Sequence, residues 1–337
     1  MVIESHAHYT NAPAALDAFR GRQITYYNRP ETSGSLVIPD DDIRSTIAKH
    51  IRHMDDHSVA ASLFSPRGSG AGHEFGTAET SRIWIGVNND LIRRVHELFP
   101  RLIPVAQLPQ SPGVGLQASA EELRRRVLDE GFVGCIINPD VAGGGQPFTP
   151  RLGDPWWNPL WDAMTELDVP GLIHASSTHN PAVHLNGSHY VNVDLAAAFE
   201  LCYSDLFDRY PTLKLIVPHG GGGLPFYYGR FHALHISAGI DDFERRVRRI
   251  FYDTAVYDRA ATEMLIDRVG PANVLYASEP FGTAKATDPS TGRPFDDVLD
   301  HVTSTPGLSP DEIGMILDGN ARKLYVRAAF PRVEGKS

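Results

Sequence analysis

Cysteine is nearly absent from this chain of 337 residues, with only Cys135 and Cys202. Two cysteines make no disulfide framework, and both stand in apolar surroundings that suit small core residues. Long apolar runs are missing as well: none approaches the roughly 20 residues that cross a bilayer. The first residues show neither the basic nor the apolar region of a secretion signal. Basic blocks are missing too. The net charge is -10 with acids and bases interspersed, so no stripe suits a nucleic acid. No short repeat or low-complexity segment occurs, and no glycine-rich phosphate fingerprint follows the first strand-like run. These absences lead to the expectation of a cytoplasmic protein that works on small molecules, without nucleic-acid or membrane partners.

What is present is an ordinary globular composition, 42% apolar and 21% charged, compatible with two domains or one large barrel. Strand-like runs rich in Val, Ile and Leu fall near 2–8, 59–64, 102–108, 132–138, 169–175, 213–219, 250–256 and 273–278. Helix-like stretches alternate with them near 40–57, 80–99, 118–130, 156–167, 192–209, 224–236, 258–269 and 309–325. Pro39-Asp40-Asp41-Asp42 and Ser309-Pro310-Asp311-Glu312 carry helix-start signals. Eight strands alternating with eight helices predict an α/β fold, a (β/α)8 TIM barrel forming a single domain over 1–337. A doubly wound sheet is the weaker alternative. Segments 11–39, 65–79, 139–155 and 279–308 are expected as long βα loops on the C-terminal face, able to act as lids.

In such a barrel, catalytic groups sit at the C-terminal ends of strands. The first run ends in His6-Ala7-His8, the fifth in His174, the sixth in His219 before four glycines, and the eighth in Glu279. Side chains two apart in a strand share a face, so His6 and His8 can share one ion. Three histidines and a carboxylate form a mixed N/O set that suits zinc and also accepts manganese. The expected ligands are His6, His8, His174 and Glu279. His219 is then left as a general acid/base, its near-neutral pKa suited to the task. Gly220 to Gly223 are expected to let the backbone run close to a ligand beside His219.

The set His-x-His, His174, His219 and a strand-eight acid resembles the amidohydrolase superfamily, in particular its aminocarboxymuconate semialdehyde decarboxylase-like branch. Within that branch the chain is similar to the 4-oxalomesaconate hydratase family. The likeness is carried by Phe64-Ser65-Pro66-Arg67, Leu108-Pro109-Gln110-Ser111-Pro112, Asn138-Pro139-Asp140, Pro218-His219-Gly220-Gly221-Gly222, Gly229-Arg230-Phe231, Ala277-Ser278-Glu279 and Asp288-Pro289-Ser290-Thr291-Gly292. Ser278-Glu279 discriminates most, because decarboxylases of the branch usually carry Ser-Asp there. The resemblance implies zinc on His6, His8, His174 and Glu279, with His219 and Glu279 as catalytic groups. It also implies a carboxylate clamp at Arg67, substrate contacts from Asn138, Asn180, Tyr190 and Arg230, and a homodimer or larger oligomer. The implied activity is metal-dependent hydration of a C=C bond in a small unsaturated oxo di- or tricarboxylic acid of aromatic-compound catabolism. The alternatives are a non-oxidative decarboxylase of an aromatic or dienoic acid, a metal-dependent hydrolase, and a metal-binding protein without catalysis. Stretches 21–38, 68–79, 143–153 and 175–189 depart from the family pattern, and His179 and His189 have no place in it.

Overall fold

The computed structural model describes residues 1–29, 34–184, 187–282 and 286–331. Nine strand segments run in order: β1 Val2–His8, β2 Val59–Ser65, β3 Leu102–Pro104, β4 Ala106–Gln107, β5 Cys135–Ile137, β6 Gly171–Ile173, β7 Leu215–Val217, β8 Phe251–Asp253 and β9 Val274–Leu275. Every neighbouring pair is parallel, in the orders β1-β2-β3 and β4-β5-β6-β7-β8-β9. β3 and β4 are halves of one strand: Val105 donates to Phe64 of β2, and Ala106 donates to Gly134 ahead of β5. The first strand lies beside the last, because both the N–H and the hydroxyl of Ser5 reach the Tyr276 carbonyl. Eight parallel strands with helices between them make a (β/α)8 barrel.

Parallel strands are covered on both faces, which is why they read as continuous apolar runs. Ile3, Leu63, Ile103, Leu172, Ile216 and Leu275 fill the interior, joined by Ala321, Leu324 and Tyr325 of the last helical stretch. Lys214, just before β7, bonds the Leu324 carbonyl. The plug therefore sits at the N-terminal ends of the strands, opposite the histidines. A second cluster packs strand residues such as Val2 and Ala7 against the surrounding helices.

Simple alternation from an inward Ile3 would put Ser5 and Ala7 inside and both histidines outside. The register avoids this. Glu4 pairs with Ser62 and Ala7 with Phe64, so β1 advances three residues while β2 advances two. This bulge switches the facing parity, leaving Ala7 outside with the helices and His6 and His8 on the central side.

The expected helices form close to their predicted bounds, with four differences. Ala14–Thr25 is a helix inside a segment expected as loop, and Phe243–Val247 and Leu299–Thr303 are short additional helices. The stretch 192–209 begins earlier, at Ser188, and breaks into Ser188–Tyr203 and Leu206–Arg209. Thr77 and Asp258 cap helices with their side chains, and Ser309 with Glu312 forms a capping box. Among the described residues, no helix is long and apolar enough to cross a membrane.

His50 and His73 are buried outside the central site, and burial pushes their imidazoles down to about 3 and about 4. In the unfolded chain both would protonate near their ordinary value of 6.5. The unfolded state thus takes up protons first, and stability falls as pH drops from about 6.5 towards 4. A tenfold difference in proton affinity between the two states is worth about 1.4 kcal/mol, so denaturant unfolding should lose a few kcal/mol over that range. His50→Leu should flatten the slope; an unchanged slope would assign the loss to other groups.

Candidate active site

Five side chains from four strand ends converge on one point. The Nε2 atoms of His6 and His8 lie 2.9 Å apart. One ligand atom each from His6, His174, His219 and Glu279 falls within 4.8 Å of the others. Each imidazole is fixed from behind through Nδ1: His6 by Asp253 at 2.8 Å, His8 by the Ser65 hydroxyl at 2.7 Å, His174 by the Ala175 carbonyl at 2.9 Å and His219 by Asp194 at 2.6 Å. All four Nε2 atoms are thereby turned towards the centre. His174 Nε2 is buried and has no protein partner among the described residues. An orphaned buried nitrogen beside two other imidazoles and a carboxylate fits a divalent metal.

The electrostatics divide the histidines. Burial and the neighbouring imidazoles push His174 down to about 3 and His8 well below its usual value, so both are neutral, as ligands must be. Burial also opposes charge on His6, but Asp253 outweighs it and holds the ring above its usual value. Desolvation disfavours the charged form of His219 too, yet Asp194 and Glu279 hold it well above. Burial opposes ionisation of Glu279, whereas His219, His6 and His8 hold its carboxyl well below the usual range. A protonated imidazole and an ionised carboxylate therefore face each other, with His219 Nε2 3.5 Å from Glu279 Oε2.

His219 and Glu279 both adopt left-handed backbone, at φ 50° and 45°. Such conformations cost non-glycine residues about 1 kcal/mol or more each. The four glycines after His219 also all have positive φ. Three of them, Gly220, Gly221 and Gly222, press against the protein, whereas Gly223 has open space around it. A Cβ on Gly222 would overlap the Leu195 N–H and the Val191 carbonyl of helix Ser188–Tyr203, and one on Gly221 would meet Tyr252 at 2.9 Å. This tight contact brings Asp194, carried on that helix, to His219.

The site opens into a cavity of about 450 Å³ walled by His8, His174, His219, Glu279, Arg67 and Tyr190, among others. Arg67 donates through Nε to Ser69, and among the described residues no carboxylate lies within ion-pair distance of it. Tyr190 shares a hydrogen bond with Ser177. Asn138, Asn180 and Arg230 lie away from the cavity wall. Asn138 is buried, exchanging backbone bonds with the Gln110 side chain and capping Asp140. Asn180 caps Ala182 in an exposed loop, and Arg230 is exposed on helix Leu224–Ser237. His179 is exposed beside Glu74 and Phe75, and buried His189 stacks on His184.

Sequence reasoning passed over four contributors. Asp253 ends β8, so the strand-end rule that found Glu279 also points to it; it holds His6 and accepts the His219 N–H at 2.7 Å. Asp194 carries a weaker signal, a lone acid in an apolar helix stretch. Tyr257 donates to Glu279 Oε2 at 2.8 Å and carries no local signal. Glu4, in β1, accepts from His6 N–H and from Ser278 N–H and hydroxyl.

With this geometry in place, the comparisons define a class. The chain belongs to the amidohydrolase family, whose model matches residues 3–327. It is 36% identical over 340 residues to 2-keto-4-carboxy-3-hexenedioate hydratase of Sphingobium sp., covering 100% of this chain and 98% of that protein. The crystal structure of 4-oxalomesaconate hydratase LigJ from Rhodopseudomonas palustris matches with a TM-score of 0.89 at 36% identity, over 97% of this chain and 96% of that one. Gamma-resorcylate decarboxylase of Rhodococcus jostii is 29% identical over 187 residues, 48% of this chain and 56% of that enzyme.

The glycine contact yields a paired prediction. Gly131→Ala, at φ 75° with open space around its Cβ, should cost only the backbone strain, about 1–2 kcal/mol. Gly222→Ala should cost clearly more in thermal unfolding and should also lower kcat, because the helix bearing Asp194 must retreat. Equal losses of stability in the two variants would show that the contact is not tight.

Proposed function

We propose that this chain is a metal-dependent hydratase, a hydro-lyase acting on a small unsaturated oxo di- or tricarboxylic acid of the 4-oxalomesaconate kind. The observation that supports it most is the full-length likeness to two hydratases, in a chain that sets an acid and a base 3.5 Å apart on its cavity wall. The proposed metal ligands are His6, His8, His174 and Glu279, with zinc first and manganese as the alternative. Bound there, a divalent ion supplies positive charge that eases deprotonation of a water and polarises a substrate oxygen.

The side chains supply the rest. Arg67 offers a planar fork to a substrate carboxylate, and among the described residues no carboxylate lies within ion-pair distance to compete for it. Glu279, held ionised, takes a proton from the attacking water as its oxygen bonds to one alkene carbon. His219, held protonated by Asp194, gives its proton to the adjacent carbon. One proton has then moved onto Glu279 and one has left His219. Transfer across the 3.5 Å between them restores the starting state. Tyr257, bonded to the same Glu279 oxygen, keeps that carboxylate turned towards the cavity.

Incubating the metal-loaded protein with candidate oxo acids and weighing the products tests the reaction. Gain of one water is expected; loss of carbon dioxide would overturn the reading in favour of decarboxylation, the chemistry of the partially similar resorcylate enzymes. Role assignment is tested separately by metal content. His219→Asn should lower turnover by about a hundredfold or more and keep the metal, whereas His8→Asn should lose the metal. The reverse pattern would exchange their roles.

A further inference from the structure

A second cavity, about 250 Å³ in volume, adjoins the active site, and Thr10 and Arg67 line both. Its far wall carries Arg20, from the helix Ala14–Thr25 that the sequence did not disclose. Arg20 is only 9% exposed. Its guanidinium donates to Gln23 Oε1 and to the carbonyls of Ala71 and Gly72, all neutral acceptors. No carboxylate lies within ion-pair distance among the described residues, and Nε has no acceptor there. Burial pushes this guanidinium down to about 10, offset in part by the charge of Glu74. Trp84 lies under the guanidinium, 4.8 Å from it to the ring centre. The one acid on the cavity wall, Asp17, is exposed.

Arg67 enters the same space with only its Nε engaged, by Ser69. Two guanidinium groups, buried Arg20 and exposed Arg67, thus line a small cavity, and among the described residues neither has a carboxylate within ion-pair distance. Buried cations are expensive unless an anion compensates them. The other walls, including Leu16, Leu91 and Ile92, are apolar and suit a short carbon arm. A planar fork stacked on an aromatic ring is the usual recognition device for a carboxylate.

We propose that this side cavity is a second carboxylate pocket, in which Arg20 and Arg67 hold the acid group of the substrate farthest from the reacting double bond. The inference rests on the hydratase reading and goes beyond it in naming the cavity and the residue that receive this one carboxylate. It assigns Arg20 as a specificity-determining residue.

Calorimetric binding of two inert probes to the metal-loaded protein tests it: propane-1,2,3-tricarboxylate, and 2-methylbutanedioate, which keeps the central and one end carboxylate but lacks the carboxylate of the other arm. The native protein should prefer the triacid. Arg20→Met should weaken the triacid by roughly tenfold or more, the usual effect of losing a charge-assisted bond, and leave the diacid and the metal content unchanged. Because Arg20 also ties down the Ala71 and Gly72 carbonyls, Ala12→Leu provides a second variant that narrows the cavity without touching a guanidinium. It should give the same selective loss. Equal weakening of both acids, or of neither, in the variant that folds would overturn the pocket. Binding is read without turnover, so a protein that hydrates nothing yet keeps the Arg20-dependent preference disproves only the reaction.

Discussion

The active site depends on one extra residue in β1 and on the carboxylate that holds it there. Without the bulge between Glu4 and Ala7, an inward Ile3 would turn both histidines towards the helices. Glu4 accepts the His6 N–H with one oxygen and both donors of Ser278 with the other. One buried side chain therefore fixes the kink in the first strand and fastens it to the end of the last, next to Glu279. Burial pushes Glu4 up to about 7 despite these donors. The three bonds thus serve to aim His6 at the expense of a desolvated acid.

The same economy recurs at every histidine. Each Nδ1 is engaged by a group of its own, a carboxylate at His6 and at His219, a hydroxyl at His8 and a backbone carbonyl at His174. Outer partners of this sort fix the tautomer and the orientation of the ring. The graded charge behind the rings separates neutral His8 and His174 from protonated His219, although all four reach the same point. Asp253 ties His6 to His219, since one of its oxygens holds the His6 ring and the other accepts the His219 N–H.

The barrel was legible in the sequence because parallel strands buried on both faces leave unbroken Val, Ile and Leu runs. Strand ends followed from the same reasoning, which is how His174, His219 and Glu279 could be picked out. The helix Ala14–Thr25 was not legible, for a physical reason: its buried face is Leu16, Phe19, Arg20 and Gln23, half polar, so no apolar period marks it. The β1 bulge was equally hidden, since the alternation rule read from the histidines and the one read from Ile3 conflict and only the register resolves them. Asn138, Asn180 and Arg230 came from family likeness alone, and the fold uses the first two as loop anchors.

The plug made by Ala321, Leu324 and Tyr325 bears on how the chain must assemble. Ile3 lies in the same packed interior as Tyr325, and Ser5 and Glu4 are bonded to Tyr276 and Ser278 across separations of 271 and 274 residues. β1, made before the other strands, therefore has no lasting partner on one edge until Tyr276 and Ser278 have followed it from the ribosome. Contacts of such long range slow folding and leave a strand edge open meanwhile. During synthesis, β1 and its histidines would wait with only β2 beside them, making the metal-binding end of the molecule among the last parts to take shape.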